Sequence, residues 1–180
     1  MDTTPTPVAS RFFVFDVESV GLHGEGFAVG GGVYVDGVAQ WEFRMACPIA
    51  ECVGSGEDRQ WVKDNVPIIE ETHRAPRAMR DEFWRQWTKA KASGAAMAAD
   101  CAWPVEAGFV KSCIEDDPAR KWEGPYPFHE IASYLAASGL DPLAKYARKT
   151  SELPVHDPLA DARQSARMLA TAVARLARQP

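Results

Sequence analysis

A chain of 180 residues with 46% hydrophobic content is sized for one domain, and no apolar run approaches the roughly 20 residues of a membrane span. A net charge of −5 argues against a long duplex-binding surface, which needs a basic balance, so any nucleic-acid contact is local or involves a short substrate. The four cysteines (Cys47, Cys52, Cys101 and Cys113) form no CxxC pair and suggest neither a disulfide nor a zinc framework, but reduced, mostly buried thiols in a cytoplasmic protein.

Residues 1–10 are rich in Thr and Pro and read as a flexible arm ahead of one domain over 11–180. The opening Met1-Asp2-Thr3-Thr4-Pro5-Thr6-Pro7 lacks the basic and apolar regions of a secretory signal. Phe12 to Glu18 reads as a strand, an aromatic and β-branched run bounded by Gly21. Phe27 to Val35 reads as a second strand, and its Gly30-Gly31-Gly32 marks a bulge or a close backbone approach. Asp36-Gly37 signals a two-residue hairpin, with Val38 to Met45 as the returning strand. Residues 46–56 read as a loop. Helices follow near 57–65 and 76–92, with Gly94 as a stop for the second.

Ala95 to Asp100 reads as a short buried strand ending in an acid. Trp103-Pro104 opens a helix to about Ile114, with Pro104 at its first position. The proline-rich, charged stretch 115–127 is a loop. Phe128 to Ser138 reads as a helix capped by Gly139, and a weak strand is suggested at 153–155. The last helix is the clearest. Asp157-Pro158 supplies an N-cap and a first-turn proline, and Ala162, Ala166, Leu169, Val173 and Leu176 form one apolar stripe. Strands first, then helices between later strands, indicate an α/β fold with a mixed sheet.

Asp16 and Glu18 lie two apart on the first strand and so share a face. A buried unpaired carboxylate is costly, and a hard divalent cation such as Mg²⁺ or Mn²⁺ would remove that cost. The bland alternative is a strand that ends there with both acids solvated. Asp100 ends a later strand, Asp161 lies in the first turns of the final helix, and His156 precedes it by five residues. Four carboxylates and a histidine converging on one point would suit two-metal phosphodiester hydrolysis, with the histidine taking a proton from water.

Phe15-Asp16-Val17-Glu18-Ser19-Val20-Gly21-Leu22 resembles the first motif of the DEDDh 3′–5′ exonucleases, D-x-E with a following Gly-Leu. His156-Asp157-Pro158-Leu159-Ala160-Asp161 resembles their third motif, H-x₄-D opening a helix. The resemblance spans about residues 11–175. It implies a ribonuclease H-like fold with a central five-stranded mixed sheet, and two divalent cations held by Asp16, Glu18 and Asp161. It also implies His156 as general base, and Ser19 to Leu22 beside the 3′-terminal nucleotide, with Leu22 against a base. Ordinary core packing is the competing reading for Leu22. The implied partner is DNA or RNA with a free 3′ end, single-stranded or short, and the implied product a 5′-monophosphate. Compact members of that superfamily commonly dimerise, so a homodimer is an assembly the resemblance admits.

The second motif departs from the pattern. Glu106-Ala107-Gly108-Phe109-Val110 matches its helical part with Glu where an Asp is usual, while Asp100 stands near the usual Asn. Asp100 is the preferred fourth carboxylate, having the expected residue type on a short, rigid arm. Glu106 is the alternate or additional ligand, and a Glu at a helix N-terminus is also favoured by the macrodipole alone. Two rivals follow: a non-catalytic nucleic-acid-binding protein on the same fold, or a phosphodiesterase for small nucleotides.

Remaining groups read blandly. Asp116 and Asp117 are expected in a solvated loop, Asp157 as a cap, and His73 and His129 as structural or surface residues. Arg74, Arg77, Arg80, Arg85, Lys89 and Lys91 form one basic group, and Lys145, Arg148 and Lys149 another. Phosphate contact and solvated faces are the two readings of these.

Overall fold

The computed structural model describes residues 11–178. The arm expected over 1–10 lies outside them. Five strands form one mixed sheet: β1 (Arg11–Ser19), β2 (Gly26–Val35), β3 (Val38–Ala46), β4 (Ala96–Ala99) and β5 (His129–Glu130), in the order β3-β2-β1-β4-β5. β1, β2 and β3 are antiparallel neighbours, whereas β4 and β5 run parallel to β1. The described residues also form five α-helices: α1 (Gly56–Asn65), α2 (Pro76–Ala92), α3 (Val105–Glu115), α4 (Ile131–Ala137) and α5 (Pro158–Leu176). No helix among the described residues is long and apolar enough to cross a membrane.

The central strand explains the layering. Phe13, Phe15 and Val17 of β1 point into a core shared with Phe83 and Trp87 of α2 and Phe109 of α3. Phe12 and Val14 point the other way, onto Ile131 and Leu135 of α4 and Ala166 and Leu169 of α5. Phe13, Phe15 and Phe83 have no exposed surface, and each contributes roughly 1.5–3 kcal/mol by burial. Asp16 and Glu18 continue the alternation of Phe12 and Val14, so they emerge on the α5 face.

Two glycine-dependent features set the geometry. The hairpin turns through Asp36 (φ 52°) and Gly37 (φ 78°), the left-handed pair that a type I′ turn requires. At Gly30 the sheet touches α5 directly. A Cβ there would lie 2.3 Å from the Leu159 nitrogen and 2.6 Å from the Pro158 carbonyl carbon. The glycine run in β2 thus marks a close backbone approach.

Three expectations need correction. Residues 128–130 do not begin a helix: His129–Glu130 is the fifth strand, paired with Ala98–Ala99, and α4 starts at Ile131. No strand forms at 153–155, where Leu153 and Val155 are exposed in a turn. Pro104 occupies the N-cap of α3, and the helix begins one residue later, at Val105. The loops at 46–56 and 115–127 each contain a short 3₁₀ turn, Ile49–Glu51 and Pro118–Trp122.

Candidate functional site

Parallel pairing brings the carboxyl ends of β1 and β4 together. Val14 faces Ala98, so Asp16 and Asp100 each follow two residues beyond an aligned pair. Asp16 also sits opposite Gly30 of β2, where the absence of a side chain lets the start of α5 close in. α5 is held there by its cap. Asp157 accepts hydrogen bonds from the Leu159 and Ala160 amides (3.0 and 3.1 Å) and pairs with Arg44 of β3 at 2.5 Å. The next turn presents Asp161. From the opposite side, the first turn of α3 aims Glu106 at the same point, where its Oε1 accepts from the Val17 amide at 3.4 Å.

The structure therefore gathers Asp16, Glu18, Asp161, Glu106 and Asp100 at one end of the sheet. The Asp16 carboxyl is pushed well above the usual range, first by burial, then by Glu106, Asp161, Glu18 and Asp100. Burial raises Glu18 to about 8, with Asp161, Glu106 and Asp157 adding to it. Burial likewise raises Glu106 to about 7, against the backbone hydrogen bonds that lower it. Asp100 is shifted upward by desolvation, then by Asp161 and Glu130, while Arg148 opposes. Asp100 is exposed as a residue, so solvent moderates both its desolvation and the push of its acidic neighbours. Crowded anions in a partly dry pocket call for positive charge.

His156 stands at the rim. Its Nδ1 lies 3.6 Å from Glu18 Oε1, and its ring meets Trp61 of α1 edge-on, with centroids 5.5 Å apart. Its backbone is left-handed (φ 64°), a conformation uncommon for a residue with a Cβ. Asp161 compensates: its Oδ2 accepts the His156 amide at 3.1 Å. Glu18, His156 and Asp161 each place one donor atom within 4.8 Å of the others'. These three residues could hold a cation, and the carboxylate oxygens among them are hard donors of the type Mg²⁺ or Mn²⁺ favours.

A cavity of about 350 Å³ opens beside the acids, lined by Glu18, Ser19, Leu22, Asp58, Trp61 and His156 among others. Leu22 is 67% exposed, so it is not a core residue. Ser19 turns its hydroxyl inward to the Gly21 carbonyl at 2.8 Å. All eight residues singled out from the sequence thus lie in or beside one site.

Other groups separate from it. Asp116 is not a solvated loop acid: it receives the Arg80 guanidinium (Nε–Oδ2 2.5 Å), which also pairs with Glu25. Arg85 pairs with Glu82, and Lys89 covers the Trp41 ring, so the first basic group is largely committed within the fold. His129 is structural, packed on Phe12 and bonded to the Tyr134 hydroxyl at 2.7 Å. Cys47, Cys52 and Cys113 are buried and free, whereas Cys101 is exposed. Sequence reasoning left two site residues unassigned. Trp61 shows no signal beyond being aromatic. Arg148, which pairs with Asp161 Oδ1, is one of three nearby basic residues that nothing local distinguishes.

No family model matches the chain, and no curated protein matches it in sequence.

Proposed function

We propose that the chain is a metal-dependent 3′–5′ exonuclease of ribonuclease H-like fold, releasing nucleoside 5′-monophosphates from single-stranded or short nucleic acid. The observation that carries this reading is the convergence of five carboxylates from β1, β4, α3 and α5 beside His156. The order of the mixed sheet agrees with the fold the motifs imply, and the 3′–5′ direction rests on the motif resemblance alone.

Asp16, Glu18, Asp161 and a fourth carboxylate, from the second motif, would hold two divalent cations, which would supply Lewis-acid stabilisation of the reacting phosphate. Of the two candidates for the fourth acid Glu106 is the better placed, being buried and first among the acids that act on Asp16, with Asp100 at the rim. A ring nitrogen of His156 takes the proton of the attacking water. Glu18 orients the imidazole and stabilises its protonated form. The water oxygen bonds to phosphorus as the bond to the preceding 3′ oxygen breaks. Leu22 and Trp61 flank the cavity that receives the terminal nucleoside, where a base can stack on the indole.

The test is incubation of purified protein with Mn²⁺ and 5′-labelled single-stranded DNA and RNA 20-mers, with a dinucleotide in parallel. Stepwise shortening with 5′-monophosphate release is expected, lost in Asp16→Asn. Binding without hydrolysis would favour a non-catalytic role, and cleavage of the dinucleotide alone a small-nucleotide phosphodiesterase.

A further inference from the structure

Arg148 is the cation that stands among the acids. It lies in the segment between α4 and α5, and its Nη1 donates to Asp161 Oδ1 and also to the Glu152 carbonyl at 2.9 Å. Its side chain is only 20% exposed. Asp161 is thereby engaged twice, Oδ2 by the His156 amide and Oδ1 by Arg148. The two bonds differ in kind. The first fixes the backbone of the base, whereas the second joins a side chain to a side chain.

The platform beneath Arg148 is firm. Glu152 is buried and accepts both the Lys149 amide (2.9 Å) and the Arg167 fork (2.6 and 2.8 Å). Ser151 is tied to Arg163, which grips Glu42 of β3 in a two-pronged pair at 2.9 and 2.7 Å. The residues on either side of Arg148 are exposed but anchored through their backbone, the Ala147 carbonyl by Arg167 at 2.9 Å and the Lys149 amide by Glu152, so any change of partner falls to the Arg148 side chain alone. A guanidinium on such a stem can change partner without moving the backbone at Glu152.

We propose that Arg148 occupies Asp161 while no divalent cation is bound, gives way when one arrives, and then binds a phosphate oxygen of the substrate. The inference rests on the metal-dependent reading above. Two positive centres on one carboxylate oxygen repel, so a cation at Asp161 weakens the arginine's hold. A displaced guanidinium meets an anionic substrate entering a site of five acids, and its planar fork matches phosphate oxygens. The exchange would leave neither Asp161 nor the substrate phosphate without a cation in either state. It would also make Arg148 a competitor of the metal and a partner of the substrate.

The test is Arg148→Gln, with Arg148→Lys to retain the charge. Mn²⁺ affinity is measured by calorimetry on protein without substrate. Arg148→Gln is expected to bind Mn²⁺ about tenfold more tightly, the scale of one charge-assisted hydrogen bond, while Arg148→Lys stays nearer the parent. KM for a single-stranded 20-mer is expected to rise on the order of tenfold in Arg148→Gln. Unchanged or weaker Mn²⁺ binding overturns the competition, and an unchanged KM overturns the phosphate contact. Should Arg148→Gln fail to fold, Arg148→Met, which also removes the charge but keeps an unbranched stem, decides: Mn²⁺ binding tighter than the parent supports competition, and equal binding refutes it. Tighter Mn²⁺ binding in a protein that cleaves nothing would leave the competition standing and sink the exonuclease reading. The reverse outcome, cleavage with Mn²⁺ affinity unaltered in the variants, would do the opposite.

Discussion

Replacing Gly30 by alanine puts a methyl group into backbone. The new Cβ would stand 2.3 Å from the Leu159 nitrogen, and 2.6 Å from both the Leu159 Cα and the Pro158 carbonyl carbon. No side chain is available to swing aside, so β2 and the start of α5 must part by roughly 1 Å to restore ordinary contact. Overpacking of this kind costs about 1–3 kcal/mol, and contact with main chain places it at the upper end. For a chain of this size each kcal/mol lowers the melting temperature by roughly 2–4 °C, so a fall of roughly 6–12 °C is expected. The damage should concentrate at the site, because Gly30 faces Asp16 and the displaced turn carries Asp161. Mn²⁺ affinity should therefore fall along with stability. Gly108→Ala is the control: it lies within α3 with nothing inside 4 Å of its Cβ, and alanine there should stabilise by about 0.5–1 kcal/mol. Thermal unfolding followed by circular dichroism, with calorimetric Mn²⁺ titration, reads both effects. A Gly30→Ala protein with parental melting temperature and Mn²⁺ affinity would refute the claim that this contact sets the site.

His156→Gln should lower turnover by roughly 10²–10⁴ while Mn²⁺ binding stays within a few-fold, and parental turnover would remove His156 as the base. Asp157→Ala deletes the α5 cap and strands Arg44, so a loss of about 1–2 kcal/mol should appear in thermal melts; an unchanged melt would show the cap to be redundant. Glu106→Gln should weaken Mn²⁺ binding more than Asp100→Asn, and the reverse order in calorimetry would move the fourth carboxylate to Asp100. The pH dependence follows from Glu18, raised to about 8, and Glu106, raised to about 7. Between their unfolded value near 4.5 and those folded values, the native state keeps protons that the unfolded chain has lost. Metal-free protein should therefore lose stability as pH rises through that window, by up to ~1.4 kcal/mol per pH unit for each proton retained. Mn²⁺ favours the ionised acids and should flatten the slope, so a metal-free melting temperature indifferent to pH across the window would contradict the crowding of these carboxylates.

The parts that were legible in the sequence were those fixed by local chemistry. Asp36-Gly37 can hardly be anything but a tight hairpin, and Asp157-Pro158 ahead of an apolar stripe states where α5 begins. The alternation of β1 placed Asp16 and Glu18 on one face before any partner was known. What escaped depended on distant residues. His129–Glu130 is a strand only because Ala98–Ala99 offers it a parallel edge, and two residues carry no period of their own. Leu153 and Val155 look like strand residues, yet no sheet edge reaches them. Glu106 against Asp100 could not be settled along the chain, because helical position and residue type favoured different acids. Only the packing of α3 on β1, through Phe109 and Val17, shows that Glu106 reaches the strand. Arg148 stood out only as one of a basic group, and its pairing with Asp161 escaped for the same reason: the partner lies thirteen residues on, in another element.

The hydrogen bond from the His156 amide to Asp161 has a consequence for genetics. One carboxylate both faces the acidic pocket and holds the histidine in its unusual backbone turn. The two positions form a single mechanical joint. Substituting Asp161 would remove a ligand and unseat the histidine at one stroke, so its effect overstates what the ligand alone contributes. Losses from changes at 156 and 161 should then fail to add when combined. Sequence drift would face the same coupling, since neither residue can change freely while the other is kept.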